Sequence, residues 1–133
     1  MTGDSGATPP AIRSHRDLIV WQKAMDLVLE IYELAKLFPK SEEFRLTSQL
    51  CRAAVSVPAN IAEGHERSSA RDFGHFLAIA RGSLMETETL VMLAVRLKYV
   101  TESQADATFG LITEVSKMST ILRKRVLASA TGT

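Results

Sequence analysis

An all-α fold, an antiparallel up-down-up-down four-helix bundle, follows from three features of the sequence. Apolar residues recur at three- and four-residue spacing through four long segments. Capping residues and proline separate these segments by only a few positions, and short connections make sequential helices run antiparallel. Aromatics make up 6% of the chain, and glycine and proline are sparse between its two ends, which suits helices better than sheets. At 133 residues the chain is long enough for one domain with its own core.

Residues 1–16 are rich in Gly, Ser, Thr and Pro with no apolar period, so the spacing predicts a tail, a bundle over 17–128 and a second short tail over 129–133. Asp17 is placed to cap a first helix that runs to about Phe38. Its expected core stripe is Trp21, Ala24, Met25, Val28, Ile31, Tyr32, Ala35 and Phe38, with Leu27 and Leu34 beside it. The apolar arc covers roughly half the helix circumference or slightly more, which is wider than one seam needs. Pro39 ends the helix, and Lys40 to Arg45 form a polar connection with a short turn from Ser41.

The second helix, Leu46 to Gly64, turns Leu46, Leu50, Ala53, Ala54, Val57 and Ile61 inward. Pro58 lies inside it, removes one backbone donor and crowds the Ala54 carbonyl, so a bend is expected. Gly64 reads as a left-handed terminator. Ser69 and Asp72 have the spacing of a capping box and open the longest helix, to about Val100. Its inner face is Phe73, Phe76, Leu77, Ala80, Leu84, Val91, Ala94 and Val95, and Gly82 suggests close approach of a neighbouring helix. From Leu90 onward nearly every sector of this helix is apolar, which calls for cover on more than one side and implies a subunit interface. Thr101 and Gln104 form a second capping box. The fourth helix points Phe109, Ile112, Val115, Met118, Ile121, Leu122 and Val126 inward and closes on Arg123, Lys124 and Arg125.

Composition and motif spacing exclude several function classes. Sixteen basic and fifteen acidic residues leave a net charge of +1, which is unlike a dedicated, strongly basic nucleic-acid binder. By helix, net charge runs from about −2 on the first to about +1 on the third and fourth, so a basic surface would come from the later helices. No apolar run approaches the ~18 residues of a membrane span, and the first residues lack the build of a signal peptide. With one cysteine, Cys51, no intramolecular disulfide forms, and the expectation is a cytoplasmic protein. A di-iron bundle site needs Glu-x-x-His on two helices. The nearest match is Asp72-Phe73-Gly74-His75, where Asp72 serves in capping. His65-Glu66 lacks the second histidine of a zinc protease. There is no phosphate loop or nucleophile elbow, and His15, His65 and His75 fall on a tail, a loop and a helix start. Cys51 reads as a filler despite its neighbour Arg52. A helix-turn-helix over Ile61 to Phe76 would need a recognition helix far shorter and more polar than this one. The reading is a protein without catalytic residues, metal, cofactor or small-molecule substrate.

Two sets of residues stand out instead. Gln49, Arg52, Ser56, Asn60 and Glu63 share one side of the second helix, beside its apolar face. Arg52 and Glu63 are three turns apart, so each is expected to find a partner on another helix or subunit, with Arg81, Glu86 and Glu88 as counterparts. Such a row reads as a device that fixes helix register or subunit orientation, against the plainer reading of a solvated face. Arg123, Lys124 and Arg125 complement the negative end of the fourth helix and are the candidate nucleic-acid contacts. Arg13, His15 and Arg16 would extend that rim.

Val20-Trp21-Gln22-Lys23-Ala24, Leu46-Thr47-Ser48-Gln49-Leu50 and Val57-Pro58-Ala59-Asn60-Ile61-Ala62-Glu63-Gly64 carry a family resemblance. Asp72-Phe73 and Ala80-Arg81-Gly82-Ser83-Leu84, followed by Glu86 and Glu88, extend it. The chain resembles the bacterial 23S rRNA-intervening-sequence proteins from about Asp17 to Val126, departing at Cys51-Arg52 where the family usually has two arginines. The resemblance implies an antiparallel four-helix bundle that assembles as a homopentamer, with an RNA or nucleic-acid-handling protein as the expected partner. More distantly, the chain is similar to the accessory variability protein of diversity-generating retroelements, a basic pentameric bundle that binds nucleic acid and a reverse transcriptase.

Overall fold

The computed structural model describes residues 11–131. Four helices make the fold: α1 (Ile19–Ala35), α2 (Ser48–His65), α3 (Ala70–Arg96) and α4 (Glu102–Thr131). Each packs against its chain neighbours, and α1 closes the ring against α4, so α1 and α3 sit on one diagonal of the bundle. Side-chain pairs fix the directions. Ser56 meets Ser83 and Gln49 meets Glu86 across α2 and α3; Arg123 near the end of α4 reaches Gly74 near the start of α3; Lys23 meets Glu114 across α1 and α4. Neighbouring helices are therefore antiparallel. No described helix is long and apolar enough to cross a membrane.

The first helix begins at Ile19 rather than Asp17, because Asp17 is already engaged. Its carboxylate accepts the Arg13 N–H at 2.8 Å and the Ser14 N–H at 3.3 Å, closing a capping box around a single turn at His15–Asp17. Those backbone donors, Arg13 first, hold the Asp17 carboxyl below its ordinary value. Residues 11–16 of the expected tail thus include an ordered, capped turn, while residues 1–10 lie outside the described ones. At the other end α4 runs on to Thr131, two residues past the expected start of the second tail, and Gly132 and Thr133 lie outside the described residues.

The core stripe of α1 is rotated from the expected one. Val20, Ala24, Leu27, Ile31, Leu34 and Ala35 are buried, with Leu27 fully inaccessible, while Met25 and Tyr32 face outward. On α4 the buried set is Ala105, Thr108, Ile112, Val115 and Ser119, and Ile121 is exposed. The centre of the molecule is built from Leu27, Ile31, Leu50, Ile61, Leu77, Leu84 and Ile112. Fully burying a side chain of this kind contributes about 1.5–3 kcal/mol.

Two glycines depart from their expected roles. Gly64 does not terminate α2, which runs through it to His65. A Cβ at Gly64 would lie 2.6 Å from Phe76 Cβ and 3.3 Å from the Phe73 carbonyl oxygen, so the missing side chain here lets α2 and α3 come into close contact. Among the described residues, nothing outside the local turn of α3 lies within 4 Å of a Cβ at Gly82, where close approach was expected. Helix α2 continues past Pro58 and buries the proline ring.

The connections are locally determined. Ser69 accepts the Asp72 N–H at 3.1 Å and starts α3. Thr101 and Gln104 make both bonds of a capping box, at 3.0 and 2.9 Å, and start α4. Between these, α3 ends in a Schellman motif: Tyr99 N–H donates to the Ala94 carbonyl and Lys98 N–H to that of Val95. Lys98 takes the left-handed conformation, φ 65°, that this motif requires. Lys40–Glu42 forms a tight 3-10 turn and Glu43–Thr47 a wider π-helical turn leading into α2. Glu42 is buried there and accepts the Tyr99 hydroxyl at 2.7 Å and the Leu46 N–H at 3.3 Å, clasping the α1–α2 corner to the α3–α4 corner. The Tyr99 bond, then that from Leu46, holds the Glu42 carboxyl below its ordinary value. Because the folded value is the depressed one, the clasp acts in full above the ordinary carboxylate range and weakens as pH falls through the folded value.

One core position is poorly matched. The Thr108 hydroxyl is buried with no hydrogen-bond partner among the described residues. A buried unsatisfied hydroxyl costs ~1–3 kcal/mol, and valine has the same shape without it. Thr108→Val should raise the unfolding free energy by about 1 kcal/mol in a denaturant titration; a loss of stability would mean that the hydroxyl has a partner.

Candidate functional site

The polar row of α2 lies along its seam with α3. Gln49, Arg52 and Glu63 are exposed, and Ser56 and Asn60 are half-buried. Asn60 donates to the Ser56 carbonyl at 2.8 Å and to its hydroxyl at 2.9 Å. The Ser83 hydroxyl of α3 donates to Ser56 at 2.9 Å. Gln49 reaches Glu86 at 3.4 Å. Gln49, Arg52, Ala53, Ser56, Ser83 and Glu86 line an open hollow of about 360 Å³.

Within the chain, the charged members find nearer partners than the facing helix. Glu63 pairs with Arg67, four residues on, at 2.8 Å, and Arg52 donates to Ser48 at 3.3 Å. Both find partners locally because residues one turn away come within reach before any facing helix does. Arg81 does not join the row. It turns to α4 and donates through one terminal nitrogen to Thr120 Oγ1 at 2.7 Å and to Ser116 Oγ at 3.1 Å. Glu88 is half-buried and makes no hydrogen bond or ion pair among the described residues.

The basic triplet of α4 divides between two faces. Arg123 Nε donates to the Gly74 carbonyl at 2.9 Å. Arg123 and Lys124 line a pocket of about 250 Å³ with Leu77, Arg81, Ser119, Thr120 and Leu127. Arg125 faces the other side and borders a mostly apolar groove of about 680 Å³, walled by Ile12, Leu18, Ile19, Met118, Ile121 and Leu122. Because α4 extends to Thr131, the triplet is more than a turn from its end, so the helix dipole no longer accounts for it.

A third cluster has no local signal in the sequence. Glu66 Oε2 lies 3.1 Å from His65 Nδ1 and 3.3 Å from His15 Nδ1, and it also accepts the His15 N–H at 3.2 Å. His15 also packs edge-on against Trp21, with ring centroids 5.1 Å apart. The hydrogen bonds from His65, then His15, hold the Glu66 carboxyl below its ordinary value. Fifty-one residues separate His15 from Glu66, so only the folded bundle brings them together. No group of three His, Cys, Asp or Glu side chains among the described residues converges on a metal position. Burial pushes the Cys51 thiol up, in the direction of an inert filler.

A family model described as 23S rRNA-intervening sequence protein matches residues 16–120. A solved structure from Bacteroides thetaiotaomicron, described as a protein with unknown function from the S23 ribosomal protein family, is 30% identical in sequence. That match covers 80% of this chain and 99% of the other, with a TM-score of 0.74. No protein with a curated description is similar to the chain. Since the family model spans most of the bundle and the same fold recurs in that relative, the chain belongs to the 23S rRNA-intervening sequence protein family.

Proposed function

We propose that the protein is a non-enzymatic, homo-oligomeric scaffold that presents an RNA or ribonucleoprotein partner with a ring of bundles, five in number as its sequence resemblance implies. The observation that carries this reading is the apolar surface left on two opposite helices. Met25, Leu29 and Tyr32 form a stripe on the outer side of α1, with Leu29 68% exposed. Ile79, Met92 and Leu93 are exposed on α3, and Leu97 is exposed at the residue that follows its end. Exposed apolar patches of this kind mark association surfaces. Because α1 and α3 lie on a diagonal, the two patches face away from each other, which suits head-to-tail contacts that close into a ring rather than a two-fold dimer. Light scattering at micromolar concentration should give one discrete oligomer. Leu29→Glu or Leu93→Glu should weaken it at least tenfold, since a charge is costly in an apolar interface, while each subunit stays folded. A stable wild-type monomer would refute the scaffold reading.

A second reading, direct nucleic-acid contact, has its own support in the distribution of charge. Over residues 70–85 of α3 and 115–131 of α4 there are six basic residues and one acidic one. Over 86–96 and 102–114 there are five acidic residues and one basic one. The near-neutral total conceals a strongly positive end, and symmetry would repeat it around a ring.

A further inference from the structure

We propose that the pocket between α3 and α4 is a binding site for a phosphate group, held by Arg81, Arg123, Lys124 and the Thr120 hydroxyl. The proposal rests on the nucleic-acid reading just given and assigns it a site. Three cations and no carboxylate line this pocket, over a floor of Leu77 and Leu127. Some exposed cations elsewhere in the bundle are neutralised by acids, as Lys23 is by Glu114, Lys36 by Glu33 and Arg67 by Glu63. Neither Arg81, Arg123 nor Lys124 has an ion pair among the described residues.

The two guanidinium groups are held by neutral acceptors instead. Arg81 is fixed through one terminal nitrogen by Thr120 and Ser116. Arg123 is fixed through Nε by the Gly74 carbonyl. A guanidinium has five N–H donors. Each arginine therefore keeps full charge and spare donors while its position is set by the protein, which lowers the ordering cost of binding an anion. Planar guanidinium forks suit the paired oxygens of a phosphate, and Lys124 adds a mobile charge at the rim. The Thr120 hydroxyl accepts from Arg81 and keeps its own proton to donate.

Phosphate here could be that of an RNA backbone or of a small phosphorylated compound, and two probes separate these sources. The full chain is titrated with pyrophosphate by calorimetry, and with a fluorescent single-stranded RNA by anisotropy at several salt concentrations. Both are repeated on the Arg81→Gln, Arg123→Gln, Lys124→Gln triple variant. A charge-matched control carries Lys36→Gln, Lys40→Gln and Arg96→Gln, all exposed and outside the basic rim, and Lys124→Gln alone serves if the triple variant melts early. The expected result is that RNA and pyrophosphate binding both fall at least tenfold in the pocket variant and hardly change in the control. The RNA salt slope should shrink by about 2, given ~0.7 per charge on single strands. Pyrophosphate binding lost in the variant, with no RNA binding by either protein, would keep the site and end the nucleic-acid reading. RNA binding equal in wild type and pocket variant would keep that reading and overturn the site. No binding of either probe at low salt would overturn the site as well.

Discussion

Leu27→Ala should lower the unfolding free energy by about 2–5 kcal/mol, the range for removing a buried leucine side chain. Leu27 is fully inaccessible at the centre of the α1 stripe, and truncation there leaves a cavity that rigid neighbours fill only in part. For a domain whose whole stability is ~5–15 kcal/mol this is a large share. Met25 is the informative comparison. It lies about 200° around the helix from Leu27 at ~100° per residue and is 42% exposed. Met25→Ala should therefore change stability by no more than about 0.5 kcal/mol in a subunit made monomeric by Leu29→Glu. Chemical denaturation of the two variants on that background decides the orientation of α1. A larger loss at Met25 than at Leu27 would rotate the helix back to the position expected from sequence.

Gly64→Val should cost about 3 kcal/mol, the upper part of the usual range for overfilling a packed contact. Even the first added carbon meets Phe76 Cβ at 2.6 Å and the Phe73 carbonyl oxygen at 3.3 Å. A Cβ and a backbone oxygen move only if α3 moves. Gly74 offers a control of similar apparent tightness, since a Cβ there meets Leu127 Cδ2 at 2.6 Å, but that atom is the end of a flexible side chain. Gly74→Ala should therefore be milder than Gly64→Ala, by about 1 kcal/mol or more on the scale of overpacking costs. Thermal melts of the pair test this, and equal losses would mean that α2 and α3 have room to separate.

These positions show what the sequence makes legible. Helix number, order and antiparallel arrangement follow from spacing and caps, because Ser69, Thr101 and Gln104 act within one turn of their own backbone. Which side of α1 is inward does not follow. Its outer stripe of Met25, Leu29 and Tyr32 is itself apolar, so counting apolar matches spreads the arc and misplaces its centre away from Leu27. Gly64 and Gly82 look alike as letters, and only the approach of Phe73 and Phe76 separates them. The polar row of α2 was readable as a row, and Glu86 meets it at Gln49 as a counterpart on α3, but the partners of its charged members were not readable. Arg67 satisfies Glu63 from the adjoining turn, and Arg81 is drawn to α4 by two hydroxyls. The basic pocket combines side chains about forty residues apart, and no local pattern announces that Arg81 and Arg123 share it.

The join between the first residues and the far end of α2 has a practical use. Trp21 is the only tryptophan in the chain, and its indole packs edge-on against His15, whose backbone and ring both bond to Glu66. Tryptophan emission from the unlabelled protein therefore comes from one place, beside the capped turn at His15–Asp17. The spectrum is a built-in optical gauge of whether that turn is seated, separate from the circular dichroism that reports the helices as a whole.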